Sequence, residues 1–211
     1  MKKWSIVLMF LCFVMGAFIF WHEKKVGGPC EGCEAIYENP VPFEELQSVT
    51  KLPEVSWEGK KPVGINGTVF KADGKTPAAG VIIYVYHTNE KGIYPKKGDE
   101  TGWAKRHGYI RAWMKTDEKG NYKFVTLRPG TYPNHNEPAH IHITIKEPGL
   151  NEYYLDEFLF SDDPLLTKER MAKLENRGGS GIVKLVDVGN MYKGERDIYL
   201  GKNIPDYPAK K

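Results

Sequence analysis

Residues 138–147 read Pro-Ala-His-Ile-His-Ile-Thr-Ile-Lys-Glu (PAHIHITIKE). In this run His140, His142 and Thr144 alternate with Ile141, Ile143 and Ile145, and a period of two belongs to a strand, whose successive side chains point to opposite faces. The isoleucine face predicts a strand packed on a hydrophobic core. The other face brings two imidazoles to one spot, where neutral rings two residues apart can reach a single metal ion. By itself the same pattern also fits two part-buried histidines bonded to backbone.

Working outward, short runs rich in β-branched and aromatic residues recur at 65–70 (INGTVF), 80–87 (GVIIYVYH), 108–116 (GYIRAWMKT), 121–127 (NYKFVTL), 152–160 (EYYLDEFLF), 181–186 (GIVKLV) and 196–200 (RDIYL). Turn formers such as ADGKTP, DEKGN and RPGTYPN separate them. Many short strands at regular spacing predict an all-β sandwich or barrel. One short helix is expected, with Asp163 as N-cap and Pro164 at its first position, running through LLTKERMAKLEN and ending near Arg177 and Gly178.

A chain of 211 residues with 41% hydrophobic composition can bury one sizeable core, which argues for a single domain, 62–211, with appendages. Thirty Lys+Arg against 27 Asp+Glu leave a formal charge of only +3, with several lysines at the extreme ends, so no basic face for nucleic acid is implied. Residues 1–25 have the form of an export signal or membrane anchor. Lys2 and Lys3 precede an uncharged stretch from Trp4 to Trp21, and His22, Glu23, Lys24 and Lys25 follow at once. The end of that stretch, AFIFWHEKK, offers no small-residue cleavage site, and as a helix the stretch just reaches across a bilayer core of ~30 Å. An uncleaved anchor holding an exported, periplasmic or otherwise extracytoplasmic domain is therefore expected ahead of a cleaved signal peptide or of a lipoprotein formed at Cys12.

Residues 26–61, rich in Gly, Pro and Glu, have the composition of a linker or an extended arm. They carry Cys30 and Cys33, too few for a four-cysteine zinc site. In an exported protein this CxxC, crowded by Pro and Gly, is expected to form a local disulfide.

Two tyrosines extend the histidine pair. Tyr132 lies in RPGTYPN and Tyr94 in EKGIYPK, each beside Gly and Pro at the end of an expected strand, where loops build sites. With these residues in place, the stretch from about Gly64 to Leu166 resembles the intradiol ring-cleavage dioxygenases, which include catechol and protocatechuate dioxygenases. The resemblance is carried by GTVFKADGKTPAAGVIIYVYHTNEKGIY, TDEKGNYKFVTLRPGTYP, PAHIH and FLFSDDPLL. It implies a β-sandwich of the intradiol type and a mononuclear non-haem Fe(III), with Tyr94 and His140 equatorial, Tyr132 and His142 axial, and a hydroxide as fifth ligand. It also implies a catechol-type substrate and O2 as partners, a muconate-type diacid as product, and Tyr132 as the residue that leaves the metal and accepts a proton. Phenolate is a hard anionic donor that suits ferric iron, whereas two phenols and two imidazoles without a carboxylate do not suit calcium or structural zinc.

The chain departs from the family pattern at two places. Glu137 stands where an arginine usually precedes the first histidine, and Glu157 aligns with a glutamine. Both are candidate substrate contacts, and as carboxylates they would disfavour a substrate carboxylate by like charge. Arg111, which shares a strand face with Tyr109 and Trp113, is a candidate replacement guanidinium. Two other readings stay open. The first strands also resemble exported transthyretin-like modules, which bind without chemistry, although such modules have no reason to place PAHIH after the last shared strand. A cupin-type site would use the two histidines with Glu147, but Asn134 and Tyr154 stand where that pattern has glycines.

Overall fold

The computed structural model describes residues 25–53, 59–134 and 136–208. The apolar segment Trp4–Trp21 lies outside them, and among the described residues no helix is long and apolar enough to cross a membrane.

In chain order the strands are β1 (Val49–Lys51), β2 (Val63–Phe70), β3 (Ile82–Tyr86), β4 (Arg111–Lys115), β5 (Asn121–Thr126), β6 (His140–Lys146), β7 (Glu152–Tyr154), β8 (Phe158–Phe160), β9 (Ile182–Val183), β10 (Val186–Asp187), β11 (Tyr192–Glu195) and β12 (Ile198–Tyr199). They form two six-stranded sheets, one in the order β1-β5-β2-β11-β10 with β12 also on β2, the other in the order β4-β3-β6-β8-β9 with β7 also on β6. The core lies between them. Ile65, Val69, Tyr122 and Phe124 of the first sheet meet Ile83, Val85, Ile141, Ile143, Ile145 and Phe158 of the second. Fully burying an isoleucine contributes ~1.5–3 kcal/mol, so the alternation in PAHIHITIKE fixes which face of β6 turns inward.

β3 is buried on both faces, which explains why IIYVY shows no polar alternation. Its outer face carries Ile82 and Tyr84, and these are covered by Ala35, Ile36 and Leu46 of the N-terminal segment. Residues 26–53 run as an arm along the rest of the chain. It is tied down by Trp113 Nε1 donating to the Ala35 carbonyl (3.3 Å), Lys115 Nζ to the Glu44 carbonyl (2.6 Å) and Gly27 N to the Pro205 carbonyl (2.8 Å). Cys30 and Cys33 are joined as a disulfide at the start of the 3-10 turn Cys33–Glu38, with their Cα atoms 5.7 Å apart.

The expected helix is much shorter than its sequence pattern. α1 (Ala104–His107) is a single turn that has no period to recognise, and α2 covers only Lys168–Met171. The N-cap of α2 is Thr167, whose side chain accepts from Arg170 N at 3.3 Å. Asp163 caps a separate turn: one carboxylate oxygen accepts from Leu165 N (2.9 Å), and the other accepts from Ala139 N (2.9 Å), just before His140. At the far end Asn176 turns left-handed (φ 55°), and the buried Arg177 guanidinium bonds the Tyr154 and Gly27 carbonyls, which ends any helical path.

Candidate metal centre

The outer face of the second sheet carries a lateral row set by register: Arg111 of β4 pairs with Tyr86 of β3, and Tyr86 pairs with His142 of β6. His140, two residues away on the same face, lies opposite Leu159 of β8. The loops that follow β3 and β5 then close over this end of the sheet and deliver Tyr94 and Tyr132. Two glycines let the loops touch. A Cβ on Gly92, whose φ is +74°, would stand 1.9 Å from the Thr131 carbonyl oxygen, and one on Gly130 would stand 2.2 Å from that of Glu90. Gly130 N donates to the Asn89 carbonyl (2.9 Å) and Thr88 Oγ1 to that of Gly130 (3.0 Å), which pins the contact.

The four donor atoms converge. Tyr94 Oη lies 2.7 Å from Tyr132 Oη and 2.8 Å from His142 Nε2; Tyr132 Oη is 3.3 Å from His142 Nε2 and 3.2 Å from His140 Nε2. The two Nε2 atoms are 3.2 Å apart. Ligands ~2.0–2.1 Å from a shared ion at angles of 90–110° stand about 2.9–3.4 Å from one another, so the spacing is close to that of a coordination shell. The two imidazole nitrogens that face each other are within hydrogen-bond reach of the phenol hydroxyls, and a cation in the gap would be shared by all four donors.

The imidazoles are oriented for that role. The Pro138 carbonyl can only accept, so His140 Nδ1, 2.7 Å away, carries the proton and Nε2 presents its lone pair. His142 has Glu157 Oε1 3.7 Å from its Nδ1, and its ring is stacked on Tyr86 at 4.4 Å and 18°. Tyr86 stacks in turn on His107 at 3.7 Å and 9°. Burial, aided by His142, depresses the His140 pKa and keeps the ring neutral. Burial also raises the phenols of Tyr94 and Tyr132 above their ordinary value. For Glu157 burial acts upward, but the neighbouring His142 imidazole outweighs it and holds the carboxyl below its ordinary range. Among the described residues no three His, Cys, Asp or Glu side chains cluster as a metal site. A metal at this place therefore depends on the tyrosines, and two phenols with two imidazoles fit ferric iron.

The other candidates are placed as follows. Glu137, Pro138 and Glu157 line a cavity of about 330 Å³ beside His140. Arg111 stands in the expected row, but its guanidinium turns away to Glu38 of the arm (2.7 Å) and over the Trp113 ring (5.0 Å). It borders a separate cleft of about 640 Å³ between the arm and β4, which none of the four donors lines. Glu147 does not join the histidines. It is buried and accepts from the hydroxyls of Tyr153 and Tyr207 (2.8 Å for Tyr207), so the cupin arrangement is absent. Sequence reasoning missed Tyr86 and the Pro138 carbonyl as orienting groups. Tyr86 was legible in part, because it alternates with Tyr84 in GVIIYVYH.

A β-sandwich that gathers two phenols and two imidazoles on the outer face of one sheet defines the ring-cleavage dioxygenase class. A model of the dioxygenase family matches residues 44–187, more than half of the sequence, and the chain belongs to the intradiol ring-cleavage dioxygenase family. Among curated relatives it is 31% identical over 108 residues to the protocatechuate 3,4-dioxygenase beta chain of Burkholderia cepacia, covering 48% of this chain and 46% of that one. It is likewise 31% identical over 101 residues to catechol 1,2-dioxygenase of Candida albicans, covering 40% and 32% respectively. The chain thus spans less than half the length of these relatives. Two solved structures share the fold. The dioxygenase domain of a dioxygenase and carbohydrate-binding protein fusion from Streptomyces sp. SirexAA-E matches at TM-score 0.55 and 24% identity, covering 71% of this chain and 85% of that one. Catechol 1,2-dioxygenase from Acinetobacter sp. ADP1 matches at TM-score 0.57 and 21% identity, covering 78% and 61%. Family membership displaces the transthyretin-like reading.

Proposed function

We propose that this protein is a non-haem iron(III) intradiol dioxygenase that cleaves a catechol-type ring between its two hydroxylated carbons with O2, giving a muconate-type diacid. The observation that carries the reading is the convergence of Tyr94, Tyr132, His140 and His142 on one gap of metal-ligand dimensions. When bound there, ferric iron would supply the Lewis acidity that holds a catechol by both oxygens and opens its ring to attack by dioxygen. His140 and His142 would contribute imidazole nitrogens, oriented by the Pro138 carbonyl and by stacking on Tyr86 beside Glu157. Tyr132 is half-buried on a loop in hydrogen-bond contact with Tyr94, and as the phenolate that a bound ferric ion would hold, its oxygen would accept a proton from an incoming catechol hydroxyl. Pro138, Leu159 and Leu166 give the neighbouring cavity an apolar wall against which the ring would pack. Residues 1–25 would hold this domain outside the cytoplasm at a membrane surface, by the signal-anchor pattern of Trp4–Trp21.

The test is to load the purified protein with ferric iron and record its visible spectrum. A tyrosinate-to-iron charge-transfer band that shifts on adding catechol, with a product weighing one O2 more than catechol, is the expected result. A colourless protein that retains no iron would overturn the reading.

A further inference from the structure

The cavity beside His140 has a second wall opposite its carboxylates. It is formed by α2 and its flanks, from which Leu166, Arg170, Lys173 and Leu174 line the cavity. Opposite them stand Glu137 and Glu157. Four charged residues thus share one small space, yet no ion pair joins a cation to a carboxylate across it among the described residues. Glu157 is turned to His142. Arg170 gives one of its five N–H donors to the Asn136 carbonyl. The Lys173 ammonium has no hydrogen-bond or ion-pair partner among the described residues and is exposed at the rim. Between the charged groups the lining is apolar, with Pro138, Leu159, Leu166 and Leu174.

We infer that Arg170 and Lys173 form the anion-recognising end of the substrate pocket, so that the ring this protein takes carries a carboxylate on a short tail. The inference rests on the ring-cleavage reading for the hydroxylated end of the substrate and adds the identity of the other end. Leucines and a proline accommodate the ring between His140 and the rim. A guanidinium fork binds carboxylate through paired N–H donors, and an ammonium beside it adds a second positive charge. These two cations offset the repulsion that Glu137 and Glu157 exert on an anion, and they replace, from α2 and the turn after it, the positive charge missing at position 137. A volume of about 330 Å³ suits one substituted ring, since ligand pockets begin at ~300 Å³.

The test compares 3,4-dihydroxyphenylacetate, neutral 4-methylcatechol and cationic dopamine by calorimetry under argon, on metal-free and on iron-loaded protein. The acid is expected to bind about tenfold more tightly than 4-methylcatechol, and this preference should fall close to one in the R170Q/K173Q double variant. Lys173→Glu, at an exposed position, is the second variant, because Arg170 also holds the Asn136 carbonyl; it should lower the acid's preference and raise that of dopamine. Equal affinities in the wild type, tighter binding of dopamine, or an unchanged preference in Lys173→Glu would overturn the inference. Turnover of 4-methylcatechol in air separates the two readings. Cleavage without tail preference leaves the dioxygenase standing and removes the anion site, whereas tail preference without cleavage does the reverse.

Discussion

Burial acts in opposite senses on the donors of the candidate centre. It keeps His140 neutral and ready to bind, and it holds the Tyr94 and Tyr132 phenols protonated. Only a strongly charged cation reverses the second effect, because a bound ion inverts the local preference for the neutral form. Iron loading should therefore release protons, and buffer-dependent calorimetry would measure them; uptake with no release would contradict the phenolate ligands. Tyr132→Phe removes the proton acceptor and one anionic donor, so catechol turnover should drop by ~10²-fold or more, with the visible band altered and far-UV circular dichroism retained. Glu157→Gln removes the charge 3.7 Å from His142 Nδ1. Loss of such an outer partner lowers metal affinity or activity ~10–100-fold, and competition with a chelator reads this directly. The residues that orient the ligands are less legible than the ligands. HxH and the paired Tyr-Pro turns stand out in a string of letters, but a backbone carbonyl such as that of Pro138 has no letter of its own.

At the scale of elements, the site depends on two loops held in contact by their glycines. Gly92→Ala places a methyl group within 1.9 Å of the Thr131 oxygen, at a backbone angle that L-residues avoid. Such strain destabilises by ~1–3 kcal/mol. The two loops must part, so the variant should lose the tyrosinate band while its strands stay folded; an intact band would show that the contact is dispensable. The arm is the second element that matters. Its disulfide closes a loop of four residues, worth ~2 kcal/mol on chain-entropy grounds, and C30S/C33S should lower the urea midpoint accordingly. α2 shows how an element reading fails. Asp163-Pro164 is a good helix start, but the Asp163 carboxylate is drawn to Ala139 N, and the helix begins only at Thr167.

For the whole molecule, stability should depend on pH through two histidines outside the candidate centre. His87 is fully buried between the Thr88 carbonyl and Thr126 Oγ1, and burial pushes its pKa down to about 4. His107, hydrogen-bonded to Tyr84, is pushed down to about 3, chiefly by burial. The unfolded chain binds a proton at each near pH ~6.5, while the folded protein does not, so stability is full above that pH. Each group then loses about 1.4 kcal/mol per unit as pH falls toward its folded value. Urea unfolding between pH 7 and 5 should show this slope, and His87→Gln should flatten it; an identical slope in the variant would refute the assignment. The sequence determined the all-β class and the inward face of β6, because strand alternation is a local property, while Tyr94, Tyr132, His140 and His142 as a donor set were what its resemblance to the intradiol family implied. It could not determine that Arg111 pairs with Glu38 of the arm, that Glu147 is held by Tyr153 and Tyr207, or that Arg170 and Lys173 reach the cavity beside His140. Those contacts join residues far apart in the chain, and only the packing of arm, sheet and α2 decides which charged groups meet.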